Sequence, residues 1–174
     1  TMRHGKKTIH EKWDKSSAIL AGDGIYALSQ IILSSIKNSE LSIYFNKATL
    51  EICEGQALDK EFENNNDITE SEYLNMIDKK TGALLSLSSI LCPIYSGMDE
   101  DIISLYNQYG RNLGKGFQIQ DDLLEIISDQ KRMGKSLGSD LLEGKQTIMV
   151  IKARKKDPEG WKQLINSSNS LNII

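Results

Sequence analysis

Asp121, Asp122 and Glu125 stand in the otherwise largely apolar stretch Phe117-Gln118-Ile119-Gln120-Asp121-Asp122-Leu123-Leu124-Glu125-Ile126-Ile127. On a helix, Asp121 is four residues and Asp122 three residues from Glu125. That spacing predicts three carboxylates on one face, with Gln118 one turn earlier. Ionised acids among apolar neighbours are costly unless cations, basic groups or water compensate them. The next segment supplies basic groups: Lys135 and Lys145 each follow a glycine, and Gly138 and Gly144 permit tight turns. A carboxylate cluster beside such lysines suits a polyphosphate bridged by magnesium. That ion takes one or two carboxylates and shares its other positions among waters and phosphate oxygens. Lysines then neutralise the charge the metal leaves uncovered. A solvated acidic face is the competing reading of the same spacing.

These residues carry a resemblance. Phe117-Gln118-x-x-Asp121-Asp122-x-x-Glu125, followed by Gly134-Lys135 and Asp140-Leu141-x-x-Gly144-Lys145-x-Thr147, resembles the second aspartate-rich region of the trans-isoprenyl diphosphate synthases, the polyprenyl synthetase family. That family carries phenylalanine, glutamine, two spacers and DDxxD. Glu125 replaces the third aspartate and is one methylene longer, so its metal contact is either direct or through water. Lys80-Thr81 resembles the family's KT motif, and Gly55-Gln56-x-x-Asp59 and Ala18 to Asp23 resemble further segments. The opening Arg3-His4-Gly5-Lys6-Lys7-Thr8-Ile9-His10 is similar to RRGxPTxH; Arg3, Gly5, Thr8 and His10 match, while His4 and Lys7 depart.

The resemblance implies an all-α, isoprenoid-synthase-like bundle of long helices around a central cavity. It implies one domain over residues 1–174, incomplete at both ends, because the family's first aspartate-rich motif would precede Thr1 and members are roughly twice this length. The implied activity is that of a transferase: condensation of isopentenyl diphosphate with an allylic diphosphate to give a longer trans-prenyl diphosphate, by a magnesium-dependent homodimer. Asp121, Asp122 and Glu125 are then the metal residues, and Asp121, Asp122, Lys80 and Lys135 the catalytic ones. Arg3, His4, Lys80, Thr81, Gln118, Lys135 and Lys145 would hold diphosphate. This portion alone is expected to be inactive. Two readings compete with it: a non-catalytic subunit of a heteromeric synthase, and a terpene cyclase.

The elements that must position these residues read as helices. Asp14 to Ile36 has helical apolar spacing, with Asp14 or Ser16 as cap. Gly22 and Gly24 within it suggest close packing or a substrate wall. Leu41 to Phe62 is a second helix, with Gln56 and Asp59 on one face. Thr69-x-x-Glu72 is a capping box that opens a third. Lys80 and Thr81 fall at a kink, Leu85 to Ile94 is apolar enough to be wholly buried, and Met98 to Ile127 is a long helix leading into the carboxylates. Ile148 to Lys155 is short and helical, and Pro158 restarts a helix.

With 174 residues, 39% apolar and 26% charged, the composition is that of an ordinary globular chain. The net charge of −3 and dispersed lysines give no reason to expect nucleic acid. The longest apolar run, Gly82 to Tyr95, is too short to span a bilayer, so no transmembrane segment is expected. Cys53 and Cys92 form no ligand cluster and read as two buried thiols of a cytoplasmic protein.

Overall fold

The computed structural model describes residues 2–3, 5–63, 65–127 and 144–163. His4 and Lys135 lie outside the described residues. The chain forms two compact units, Thr1–Phe45 and Asn46–Ile174.

In the first unit, β1 (Met2–Arg3) and β2 (Lys6–Lys7) pair antiparallel, Met2 opposite Lys7 and Arg3 opposite Lys6. Gly5 makes the turn at φ 73°, a left-handed backbone that suits glycine. Among the described residues this is the only sheet. After the short α1 (Ile9–Lys12), α2 (Lys15–Ser35) opens on Asp14, whose side chain accepts a hydrogen bond from the Ser17 backbone N–H at 2.6 Å. That satisfies one of the first-turn donors a helix leaves open. Leu33 is its one buried residue among those described, while Ile19, Leu20, Ile25, Leu28, Ile31 and Ile32 are exposed. The expected close packing at Gly22 and Gly24 is not found: no described atom lies within 4 Å of where a Cβ would stand.

By length and composition alone, the 21-residue α2 is long and apolar enough to cross a membrane, at a mean hydropathy of 1.3. Its apolar residues form no long uninterrupted run, because Asp23, Ser29 and Gln30 fall among them. The same composition belongs to helices covered on all sides inside a larger protein.

The division between units falls inside α3 (Ser39–Phe62), which starts where Asn38 Oδ1 accepts from the Glu40 backbone at 3.0 Å. In the second unit, α4 (Glu70–Ile77) begins with the anticipated capping box. Glu72 N–H donates to Thr69 Oγ1 at 3.2 Å, and Thr69 N–H donates back to Glu72 Oε2 at 2.8 Å. A π-helical turn (Asp78–Gly82) then leads into α5 (Ala83–Tyr95), followed by α6 (Glu100–Ile127) and α7 (Ile148–Lys156). Residues 158–163 are helical again, with Asp157 Oδ1 accepting from Gly160 N–H at 2.9 Å.

The core gathers Phe62, Ile68, Tyr73, Met76, Ile77, Ile148 and Ile151. Full burial of a side chain of this size contributes about 1.5–3 kcal/mol, so the cluster fixes α4 against α7. Arg154 strengthens that joint by donating to the Ile68 carbonyl at 2.6 Å and to Gln146 Oε1 at 2.8 Å. Two expectations are corrected here. Cys53 and Cys92 are both exposed, because each lies on the outer side of its helix. Leu84, Ser88, Cys92 and Tyr95 form an exposed stripe on α5, so it is not wholly buried.

Candidate active site

Five segments of the second unit meet around a cavity of about 250 Å³. Asp59 comes from α3, Tyr73, Met76 and Ile77 from α4, and Lys80 from the π turn. Gln118, Asp121 and Asp122 come from α6, and Lys145, Gln146 and Thr147 from the segment entering α7. Three carboxylates and two lysines therefore line one cavity, together with the core side chains Tyr73, Met76 and Ile77.

The geometry assigns different environments to the acids. Asp122 is only 6% exposed; Tyr73 Oη donates to its Oδ2 at 2.6 Å, and Gln118 Nε2 donates to its Oδ1 at 3.1 Å. Two neutral donors compensate a carboxylate that burial would otherwise penalise. Burial pushes the Tyr73 hydroxyl well above the usual phenol range, and the Asp122 bond with the nearby Asp121 and Asp59 charges pushes it the same way. Tyr73 therefore stays a donor. Asp121, one residue earlier and about 100° around the helix, is exposed on the cavity wall. Glu125 is 7% exposed and lies outside the lining. The three do not share one environment, and among the described residues no three His, Cys, Asp or Glu side chains gather closely enough to hold a metal unaided.

Lys80 reaches the cavity from the π turn and pairs with Asp59 at 2.7 Å, both side chains being partly buried. Gln56 Nε2 donates to the same Asp59 oxygen at 3.4 Å, as their helical spacing predicts. Thr81 Oγ1 donates to Gln118 Oε1 at 3.0 Å and is not itself on the lining. Lys145 follows Gly144, whose φ of 74° is the left-handed turn the sequence suggests. The structure thus brings together Asp121, Asp122, Lys80, Gln118 and Lys145, with Thr81 one hydrogen bond behind them. Arg3 lies in β1 of the first unit. Tyr73 and the Lys80–Asp59 pair are what sequence reasoning missed; only the spacing of Gln56 and Asp59 hinted at the latter.

The polyprenyl synthetase family model matches residues 1–171. The chain belongs to the polyprenyl synthetase family. It is 43% identical to the short chain isoprenyl diphosphate synthase of Methanocaldococcus jannaschii, over 98% of this chain and 54% of that one. It is 39% identical to the geranylgeranyl diphosphate synthase of Methanosarcina mazei, over 89% of this chain and 49% of the relative. Among solved structures, heptaprenyl diphosphate synthase from Staphylococcus aureus superposes with a TM-score of 0.87 at 32% identity, covering 92% of this chain and 50% of that one. The solved structure shares the helical fold found here, and the chain spans about half the length of each of these three proteins.

Proposed function

We propose that the complete protein containing this chain is a prenyltransferase that condenses isopentenyl diphosphate with an allylic diphosphate to give a longer trans-prenyl diphosphate. The observation that carries this reading is the meeting of Asp121, Asp122, Lys80 and Lys145 on one cavity of a polyprenyl synthetase chain. The names of the relatives reported above, isoprenyl and geranylgeranyl diphosphate synthases, support the same class of product.

The residues divide the work by their chemistry. Lys80 and Lys145 meet the charge of the departing diphosphate, Lys80 exchanging Asp59 for a phosphate oxygen. Thr81 and Gln118 add neutral donors. By motif alone, Arg3 and Lys135 are assigned to the allylic diphosphate, and His4, in place of an arginine, to isopentenyl diphosphate. The donor set suits magnesium: oxygen ligands on a cavity wall, with lysines beside them to receive phosphate. Asp121 would be the main protein ligand, since both oxygens of Asp122 already accept hydrogen bonds. Glu125, buried away from the lining, is better placed to act through water than directly. When bound, magnesium withdraws charge from the diphosphate leaving group.

Preorganised donors around that leaving group favour ionisation. The allylic carbon–oxygen bond breaks with its electron pair going to diphosphate. The isopentenyl double bond then forms the new carbon–carbon bond, and loss of a proton restores an alkene. A cytoplasmic homodimer is part of the same proposal; the exposed apolar residues of α2 need cover that the described residues do not provide.

Incubating the complete protein with isopentenyl diphosphate, magnesium and several allylic primers should yield elongated trans-prenyl diphosphates. Cyclic hydrocarbons would reassign the chemistry to cyclisation. Consumption of neither substrate would overturn the reading.

A further inference from the structure

The turn that delivers Lys80 is a π turn, with one more residue in its hydrogen-bonded ring than an α-helix has. Its defining bond runs from the Ala83 N–H to the Asp78 carbonyl. That same carbonyl also accepts from Arg111 Nη1 at 3.2 Å, and the same nitrogen reaches Asp78 Oδ2 at 3.2 Å. The other arm of the guanidinium, Nη2, pairs with Glu51 Oε2 at 2.5 Å. Arg111 thus joins three elements, α3, the π turn and α6, from a side chain that is 22% exposed. Lys115 stands 3.4 Å from Asp78 Oδ1, an oxygen that lies against Gly82 and has no hydrogen bond of its own.

The backbone is gripped at the same place. A Cβ on Gly55 of α3 would stand 2.7 Å from Lys80 Cα, and one on Gly114 of α6 would stand 2.5 Å from Gly82 Cα. Such approaches leave the turn between two helix backbones, with no room for side chains. The glycines hold its sides and Arg111 holds its first carbonyl.

We propose that Arg111 is a positioning residue: by bridging the Asp78 carbonyl and carboxylate to Glu51 it locks the π turn in the register that points Lys80 into the cavity. The inference rests on the diphosphate-binding role proposed for that cavity. An α-helical turn at this point would pair the Asp78 carbonyl with Gly82 instead and rotate Lys80 relative to α6. The rigid guanidinium fork reaches the two Asp78 acceptors from one nitrogen and Glu51 from another, whereas an ammonium offers all its donors from a single atom.

The test uses the complete protein and inorganic pyrophosphate with magnesium, titrated calorimetrically, beside amide hydrogen exchange of residues 79–83. Arg111→Met should speed exchange in that turn and weaken pyrophosphate binding about tenfold. It should raise KM for the allylic diphosphate far more than it lowers kcat. Arg111→Lys should fall between the two, and it carries the test where the methionine variant does not fold. Lys79→Met, which removes the neighbouring pair with Glu54 on the same turn, should bind like wild type. In a Lys80→Ala background, Arg111→Met should add little further loss, because it acts through Lys80. Lower thermal stability with unchanged pyrophosphate affinity and KM would overturn the inference alone, as would fully additive losses. A wild-type protein that binds no pyrophosphate would overturn the diphosphate role and this inference together.

Discussion

Tyr73 Oη donates a 2.6 Å hydrogen bond to Asp122 Oδ2 across 49 residues of sequence, joining the core side chains of the cavity to its acids. Tyr73 is 2% exposed and belongs to the core cluster through its ring, so one residue serves both packing and the site. Its hydroxyl and the Gln118 amide hold Asp122 in place, and Asp121 is left facing the cavity from the next position on the helix.

That bond makes a stability prediction. Tyr73→Phe keeps the ring and removes the donor, leaving a buried carboxylate oxygen short of one partner. The expected loss is about 1–3 kcal/mol in denaturant unfolding. A variant as stable as wild type would show that Asp122 does not depend on this hydroxyl.

Two glycines only two residues apart on α6 should respond in opposite directions. Gly114→Ala would drive a methyl into the Gly82 backbone, at 2.5 Å from Cα and 2.9 Å from N, with no flexible side chain to yield. Overpacking of that kind costs about 1–3 kcal/mol. Nothing described lies within 4 Å of the corresponding Gly116 position, so Gly116→Ala should stabilise the helix by about 0.5–1 kcal/mol. Thermal melts of the two variants would settle it; a shift of the same sign in both would contradict the packing described.

Acid should loosen the start of α4. The Thr69 hydroxyl and backbone N–H hold the Glu72 carboxyl below the usual range, and Lys152 does the same for Glu70. A depressed folded-state pKa means the stabilisation is present above the ordinary glutamate value, near ~4.3, and is lost as pH falls through the lowered one. Glu72→Ala should therefore melt below wild type at neutral pH, and the gap should narrow as pH drops toward 3. An unchanged gap across that range would contradict it.

The fold was legible where its causes are local. Asp14 caps α2 and Thr69-x-x-Glu72 opens α4, because capping needs only residues three apart. Apolar spacing located the long helices to within a few residues. Motifs marked Asp121, Asp122, Gln118, Lys80 and Lys145, which do share the cavity. What stayed hidden depends on distant pairs: Lys80 with Asp59 is separated by 21 residues and Arg111 with Asp78 by 33. No periodicity encodes such partners. The exposure of Cys53 and Cys92 was hidden for a related reason, since which side of a helix is covered depends on distant elements.

In the proposed function, this cavity binds a diphosphate through a divalent cation held mainly by Asp121. The most direct measurement is calorimetric titration of the complete protein with inorganic pyrophosphate, with and without magnesium, for wild type and Asp121→Asn. Wild type should bind more tightly with magnesium. Asp121→Asn, unchanged in circular dichroism, should lose about 10- to 100-fold in that affinity, the loss expected for one charged partner, and should need more magnesium. Equal affinity and equal magnesium dependence in the two proteins would contradict the claim.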